Sequence, residues 1–200
     1  MTTSKREQII EMFKQYDILR PRDIEAEGIS GIYLNKLYND GVLDRHGRGL
    51  YTLKNADFDQ NKTLVEACKK IPNGVVCLLS ALQFHELTTE LPFEIWVAID
   101  RNAHKPKYEY PPVRIFRFSE LALAYGVKEY QVNNSKVKIF TPAKTVADCF
   151  KYRNKIGIDV ALQAFREVWS SKKATMGELY EAAKICRVNN VMRPYLESLI

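Results

Sequence analysis

Three histidines and four cysteines are the side chains best suited to proton transfer or nucleophilic attack, and their placement argues against both roles. His46 adjoins Gly47-Arg48-Gly49, His85 lies between Phe84 and Leu87, and His104 falls in a basic, proline-containing stretch, so no two share a motif. His85-Glu86 is the one adjacent pair that could exchange a proton, but its apolar flanks favour a buried, hydrogen-bonded imidazole. Cys68, Cys77, Cys149 and Cys186 lack paired C-x-x-C spacing and read as buried thiols rather than as a zinc or disulfide framework. No H-E-x-x-H, Walker or G-x-S-x-G pattern is present. The expectation is a protein without catalytic residues, metal or cofactor. The ionic side chains leave more open. Lys144, Asp148 and Lys151 recur at helical spacing and read as a surface ion-pair ladder. Together with Arg153 and Lys155, the two lysines could instead bind a nucleotide phosphate or an acidic protein.

Reading a nucleic acid needs amides, hydroxyls and cations on one exposed face, and residues 30–48 supply them. Ser30, Tyr33, Asn35 and Lys36 fall on the outer side of a short helical pattern, followed by Arg45, His46 and Arg48. Asn pairs with adenine edges, Lys and Ser reach phosphate or base, and cations beside a glycine-rich tip grip the flanking backbone. Several elements must position them. Ser4 and Glu7 form a capping box for a helix over residues 5–16, with Ile9, Ile10, Phe13 and Tyr16 on one face. Pro21 suits a first helical position and Gly28 a helix stop. Ser30 then caps a second helix of the pair, which runs to Asp40 and is closed by Gly41. Residues 43–53 put β-favouring side chains on both sides of a turn at 46–49, the pattern of a two-stranded wing. Leu34, Leu37 and Tyr38 would face inward, with Ile24, Leu43, Leu50 and Leu53 completing a small core. These parts make a winged helix-turn-helix. The same residues would also suit a solvated polar face or a protein-interaction adaptor.

A polar run over 54–62 marks a boundary, dividing the chain into residues 1–56 and 57–200. Beyond it, 63–70 reads as a helix, Pro72-Asn73-Gly74 as a turn, and 75–87 as a buried strand or turn leading into a helix. Alternation at Phe93, Ile95, Val97 and Ile99, at Val113 and Ile115, and at Val137 and Ile139 predicts three strands. Residues 101–112, with Arg101, His104, Lys105 and Lys107, are expected to be a basic loop between the first two, able to touch DNA or RNA or simply solvated. Thr141-Pro142 opens a helix to about residue 154, Asp159 caps the next, Thr175 and Glu178 form another capping box, and 189–199 closes the chain helically. The fold class is α+β, a winged helix followed by a mixed segment that ends in helices.

Residues 1–54 carry nine Lys or Arg against eight Asp or Glu, so five of the six excess positive charges lie farther on. Any long-range attraction for a polyanion would come mainly from the second segment. No apolar run is long enough to span a bilayer, and residues 1–7 do not start a signal peptide, so the expected location is cytoplasmic.

Several stretches resemble one family. They are SALQFHELTTELP at 80–92, IWVAI at 95–99, RIFRFS at 114–119, FTPAKTVADCFKYRNKIGIDVAL at 140–162 and, in the wing, GRGLYTL at 47–53. Together they are similar to the AbiEi antitoxins of type IV abortive-infection systems. The resemblance implies a phage-defence antitoxin paired with an AbiEii nucleotidyltransferase-like toxin. It further implies that the winged helix represses its own operon at inverted-repeat operator DNA, and that the C-terminal domain neutralises the toxin. Under it, Ser30, Tyr33, Asn35, Lys36, Arg45, His46 and Arg48 are the DNA-binding candidates. Lys144, Lys151 and Arg153 are the candidates for C-terminal function, the alternative being that residues 57–200 form a nucleotide-dependent enzyme acting on the toxin or an RNA.

Overall fold

The computed structural model describes residues 4–16, 19–46, 49–54, 60–104, 111–132 and 135–198. Its first part is α1 (Lys5–Gln15), α2 (Pro21–Ala26), α3 (Ile32–Asn39), β1 (Leu43–His46) and β2 (Leu50–Leu53). Glu7 donates its amide to Ser4 Oγ and accepts from the Ser4 amide at 2.9 Å, which is the expected capping box. At the ends of α2 and α3, Gly28 and Gly41 take φ of +72° and +70°. The next amides, of Ile29 and Val42, turn back to the carbonyls of Ile24 and Leu37, so both helices end in Schellman motifs. β1 and β2 pair antiparallel, Leu43 opposite Leu53 and His46 opposite Leu50. Ile9, Phe13, Leu19, Ile24, Ile29, Leu34, Leu37, Leu43 and Tyr51 form one buried cluster behind them.

Three details of this part differ from the sequence expectation. The N-cap of α3 is Gly31, not Ser30, and Ser30 is exposed one residue earlier. A Cβ at Gly31 would lie 2.7 Å from Glu25 Oε1 and 2.9 Å from Pro21 Cβ, so the two helices close on a residue without a side chain. Tyr38 is not inward-facing but 43% exposed. The wing contributes Tyr51 to the core, through a backbone bridge in which Leu19 and Tyr51 exchange both hydrogen bonds at 2.9–3.0 Å.

The second part runs α4 (Gln60–Lys70), β3 (Val75–Val76), α5 (Leu78–Phe84), β4 (Ile95–Asp100), β5 (Val113–Phe118), α6 (Glu120–Ala124), β6 (Val127–Val132), β7 (Ser135–Phe140), α7 (Pro142–Lys151), α8 (Arg153–Ile156), α9 (Ile158–Ser170), α10 (Met176–Ile185) and α11 (Asn189–Glu197). Its five-stranded sheet has the order β5-β4-β3-β7-β6, with β4 parallel to β5 and β3 parallel to β7. Period-two alternation separates two cores. Val76, Ile95, Val97, Val137 and Ile139 pack with Leu64 and Ala67 of α4 and with Ile71 just past its end, while Val75, Trp96, Ala98, Phe116 and Phe118 face α7, α9, α10 and α11. The three expected strands correspond to β4, β5 and β7. β6 was not foreseen, because Val127, Tyr130 and Val132 break the alternation.

The helix expected from residue 142 to 154 stops at Lys151, and Tyr152 separates it from α8. The next helix has Gly157 at its N-cap, not Asp159, which sits inside the first turn. The Thr175 and Glu178 capping box is present, and hydrogen bonds from Thr175 hold the Glu178 carboxyl below its usual value. The residue 56/57 boundary falls in 55–59, outside the described residues. On either side of it the buried clusters are separate, and Arg20 Nη2 reaches Glu94 Oε1 across the gap at 3.1 Å. Among the described residues no helix is long and apolar enough to cross a membrane.

Candidate nucleic-acid interface

The recognition-type helix α3 is held by its buried Leu34 and Leu37, which leaves Asn35 and Lys36 exposed and Tyr33 half-buried. Two aromatic rings organise the polar residues around it. Lys36 Nζ lies 5.4 Å from the centroid of Tyr33, and Lys5 Nζ of α1 lies 5.6 Å from the same ring. The buried Tyr51 of β2 donates its hydroxyl to Asn35 Oδ1 at 2.7 Å, while the Arg45 guanidinium sits 5.9 Å from its ring. Tyr33 therefore gathers the cations of two helices, and Tyr51 joins a helix amide to a wing cation.

This geometry sorts the sequence-derived candidates. Tyr33, Asn35, Lys36 and Arg45 are brought together, and Ser30 is exposed just ahead of α3. His46 lies on β1, its side chain outside the described residues, as is Arg48 altogether. Lys5 and Tyr51 escaped notice. Lys5 reads in sequence as an ordinary first-turn residue, and Tyr51 as one of several β-favouring positions; only the strand register, with Arg45 opposite Tyr51, connects it to the wing cation.

The C-terminal candidates do not share a surface. Lys144, expected on an exposed ladder, is fully enclosed together with Asp148. Residues 143–150 are all buried because α7 packs among α5, α9, α10 and α11 and meets solvent only at its ends. Lys144 Nζ donates to Asp148 Oδ2, and Cys186 Sγ donates to the other carboxylate oxygen at 3.2 Å. The ammonium also lies 4.1 Å from the Phe140 centroid and 4.8 Å from that of Phe118. Burial pushes the Asp148 carboxyl above its ordinary value, against the opposing pull of Lys144. Lys151 is exposed, and Arg153 donates Nη1 to the Phe150 carbonyl at 2.9 Å.

The residues considered for catalysis are committed elsewhere. His85 is buried and donates from Nε2 to the Phe140 carbonyl at 2.7 Å, and burial lowers its pKa. Glu86 turns away to Lys173 at 3.2 Å. Burial pushes the Cys68 thiol up to about 11 and Cys186 to about 12, and places Cys77 and Cys149 well above the usual thiol value. These are poor nucleophiles at neutral pH. Among the described residues no group of three His, Cys, Asp or Glu side chains is placed to hold a metal ion.

Residues 7–54 match the family model described as "Transcriptional regulator, AbiEi antitoxin". The match agrees with the AbiEi resemblance over the unit that carries Tyr33, Asn35, Lys36 and Arg45, and of the stretches on which that resemblance rests it includes GRGLYTL at 47–53. No curated protein matches the chain.

Proposed function

We propose that this protein is a type IV antitoxin and autorepressor, in which the N-terminal unit of about 56 residues binds inverted-repeat operator DNA and residues 57–200 neutralise a nucleotidyltransferase-like toxin. The observation that carries the DNA-binding half is the convergence of Asn35, Lys36 and Arg45 on two aromatic anchors at the exposed side of a helix-turn-helix. The α3 side chains read bases in the major groove, Arg45 grips phosphate or the minor groove, and Ser30 contacts the backbone at the helix approach. One helix reads few base pairs, so two copies occupy one repeat. The antitoxin half is supported by the family of the N-terminal unit and by the resemblance of residues 80–162.

A mobility-shift titration on the DNA upstream of the gene tests the first half. Binding should weaken steeply as salt rises, since each phosphate contact releases counterions. Replacing Lys36 and Arg45 together by Ala should cost about tenfold or more in affinity with the thermal melt unchanged. Equal affinity for scrambled DNA, or an unaffected double variant, contradicts the assignment. Rescue of growth when the adjacent toxin gene is co-expressed tests the second half.

A further inference from the structure

We propose that the free edge of β5 is a docking strand for an extended, acidic peptide segment of a protein partner. The inference deepens the antitoxin reading and rests on it for the existence of such a partner. Among the described residues β5 is the outermost strand of the sheet and pairs with β4 alone. The Ile95 amide donates to the Pro112 carbonyl and the Arg101 amide to that of Phe118, so the even-numbered carbonyls of this strand face β4. The amides and carbonyls of Val113, Ile115 and Arg117 therefore face outward. A groove of about 550 Å³ runs along this edge, bordered by Arg114, Phe116, Arg117, Tyr152, Lys155 and Glu94.

Charge and hydrogen-bonding capacity identify the occupant. Arg114 stacks on Trp96 at 4.6 Å and on Phe116 at 5.7 Å, and among the described residues no carboxylate pairs with Arg114, Arg117 or Lys155. Glu94, the carboxylate in the lining, is already bound to Arg20. Arg117 turns its guanidinium to the carbonyls of Arg101 and Ala103, so the groove presents Arg114 and Lys155, without bound acids among the described residues, beside alternating backbone donors and acceptors. A second copy adding edge to edge would bring these cations against each other. A nucleic acid would satisfy the cations but has no backbone amides to match Val113 and Ile115. A peptide strand with acidic residues satisfies both, by main-chain pairing for affinity and side-chain charge for specificity. Tyr152 bounds the far end, where its hydroxyl donates to the Arg117 carbonyl at 3.4 Å.

The experiment selects a random library of linear ten-residue peptides on the full-length protein. It then measures the recovered peptides against wild type, Arg114→Gln and Lys155→Glu. Lys155 is exposed on the short α8, so its replacement keeps the test valid if Arg114→Gln fails to fold. The expected result is enrichment of Asp and Glu alternating with β-branched residues, at least a tenfold loss on Lys155→Glu, and abolished binding when alternate peptide amides are N-methylated. No recovered peptide, or peptides indifferent to Lys155→Glu, overturns the proposal. So does tolerance of N-methylation, which rules out strand pairing, and so does tighter binding of a short single-stranded oligonucleotide that displaces the peptide. An operator shift on the same preparation separates the two readings. DNA binding without peptide binding removes the groove alone, and peptide binding without DNA binding removes the repressor alone.

Discussion

Lys36 and Lys144 both sit on short helices next to aromatic rings, yet one stands in water and the other is sealed from it. Lys36 lies 5.4 Å from Tyr33 on an exposed face, where its charge is available to a partner. Lys144 has 0% exposure, and its charge is consumed by Asp148 and the faces of Phe118 and Phe140. A cation near a ring is therefore no indicator of function in itself; what surrounds the helix decides. α3 buries Leu34 and Leu37 with Tyr33 half-covered beside them, whereas α7 is covered on every side from Ala143 to Phe150.

The strongest way to break the contrast is to strip one partner from the enclosed pair. Asp148→Ala should destabilise the protein by about 3–5 kcal/mol, because it leaves a buried ammonium without its counter-charge. Lys144→Met with Asp148→Leu should recover most of that loss in a urea melt, since the pair as a whole adds little over apolar packing. If the single and double variants melt alike, the enclosure of Lys144 is wrong. Lys36→Ala, by contrast, should leave the melt within about 0.5 kcal/mol of wild type.

The exposed region is sharpened by Tyr51→Phe. It removes the hydroxyl that orients the Asn35 amide and keeps the ring beside Arg45. Discrimination against a changed base pair opposite α3 should fall by about 1–3 kcal/mol, while affinity for non-specific DNA stays the same. Competition between operator and single-base variants measures it; an equal loss on all sequences would mean that Tyr51 merely supports the fold.

The smallest effect concerns His85, which resembles Lys144 in being a titratable group withdrawn from water. Burial lowers its pKa from 6.5, so the folded protein keeps it neutral while the unfolded chain takes up a proton. The stability it contributes is complete above pH 6.5 and is lost as pH falls from there toward the lower folded value. Urea midpoints between pH 7.5 and 5.5 should show this decline, and His85→Gln should flatten it.

Much of the framework was legible because it rests on local rules. The Ser4 and Thr175 capping boxes, the stops at Gly28 and Gly41, and the strands with clean alternation all follow from a few neighbouring residues. What escaped depends on partners distant in sequence. The Lys144 and Asp148 spacing is identical for a surface ladder and a buried pair. Only the flanking run of Ala143, Thr145, Val146, Ala147, Cys149 and Phe150, with no polar side for water, pointed inward. Ser30 lost its cap to Gly31 because α2 and α3 approach too closely for a side chain, a constraint created by Pro21 and Glu25. The polar pattern of Tyr33, Asn35, Lys36 and Arg45 is visible in the sequence, but the tie that Tyr51 makes between Asn35 and Arg45 needed the strand register.

The sealing of Lys144 gives the molecule a built-in reporter. An amine-acylating reagent reaches Lys36, Lys128 and Lys155 directly from solvent, and the extent of their modification tracks reagent dose. Lys144 reacts only when the layer of helices around α7 parts. Its labelling rate, read by mass spectrometry beside those three, therefore counts cooperative openings of the C-terminal core and separates them from local fraying at the surface.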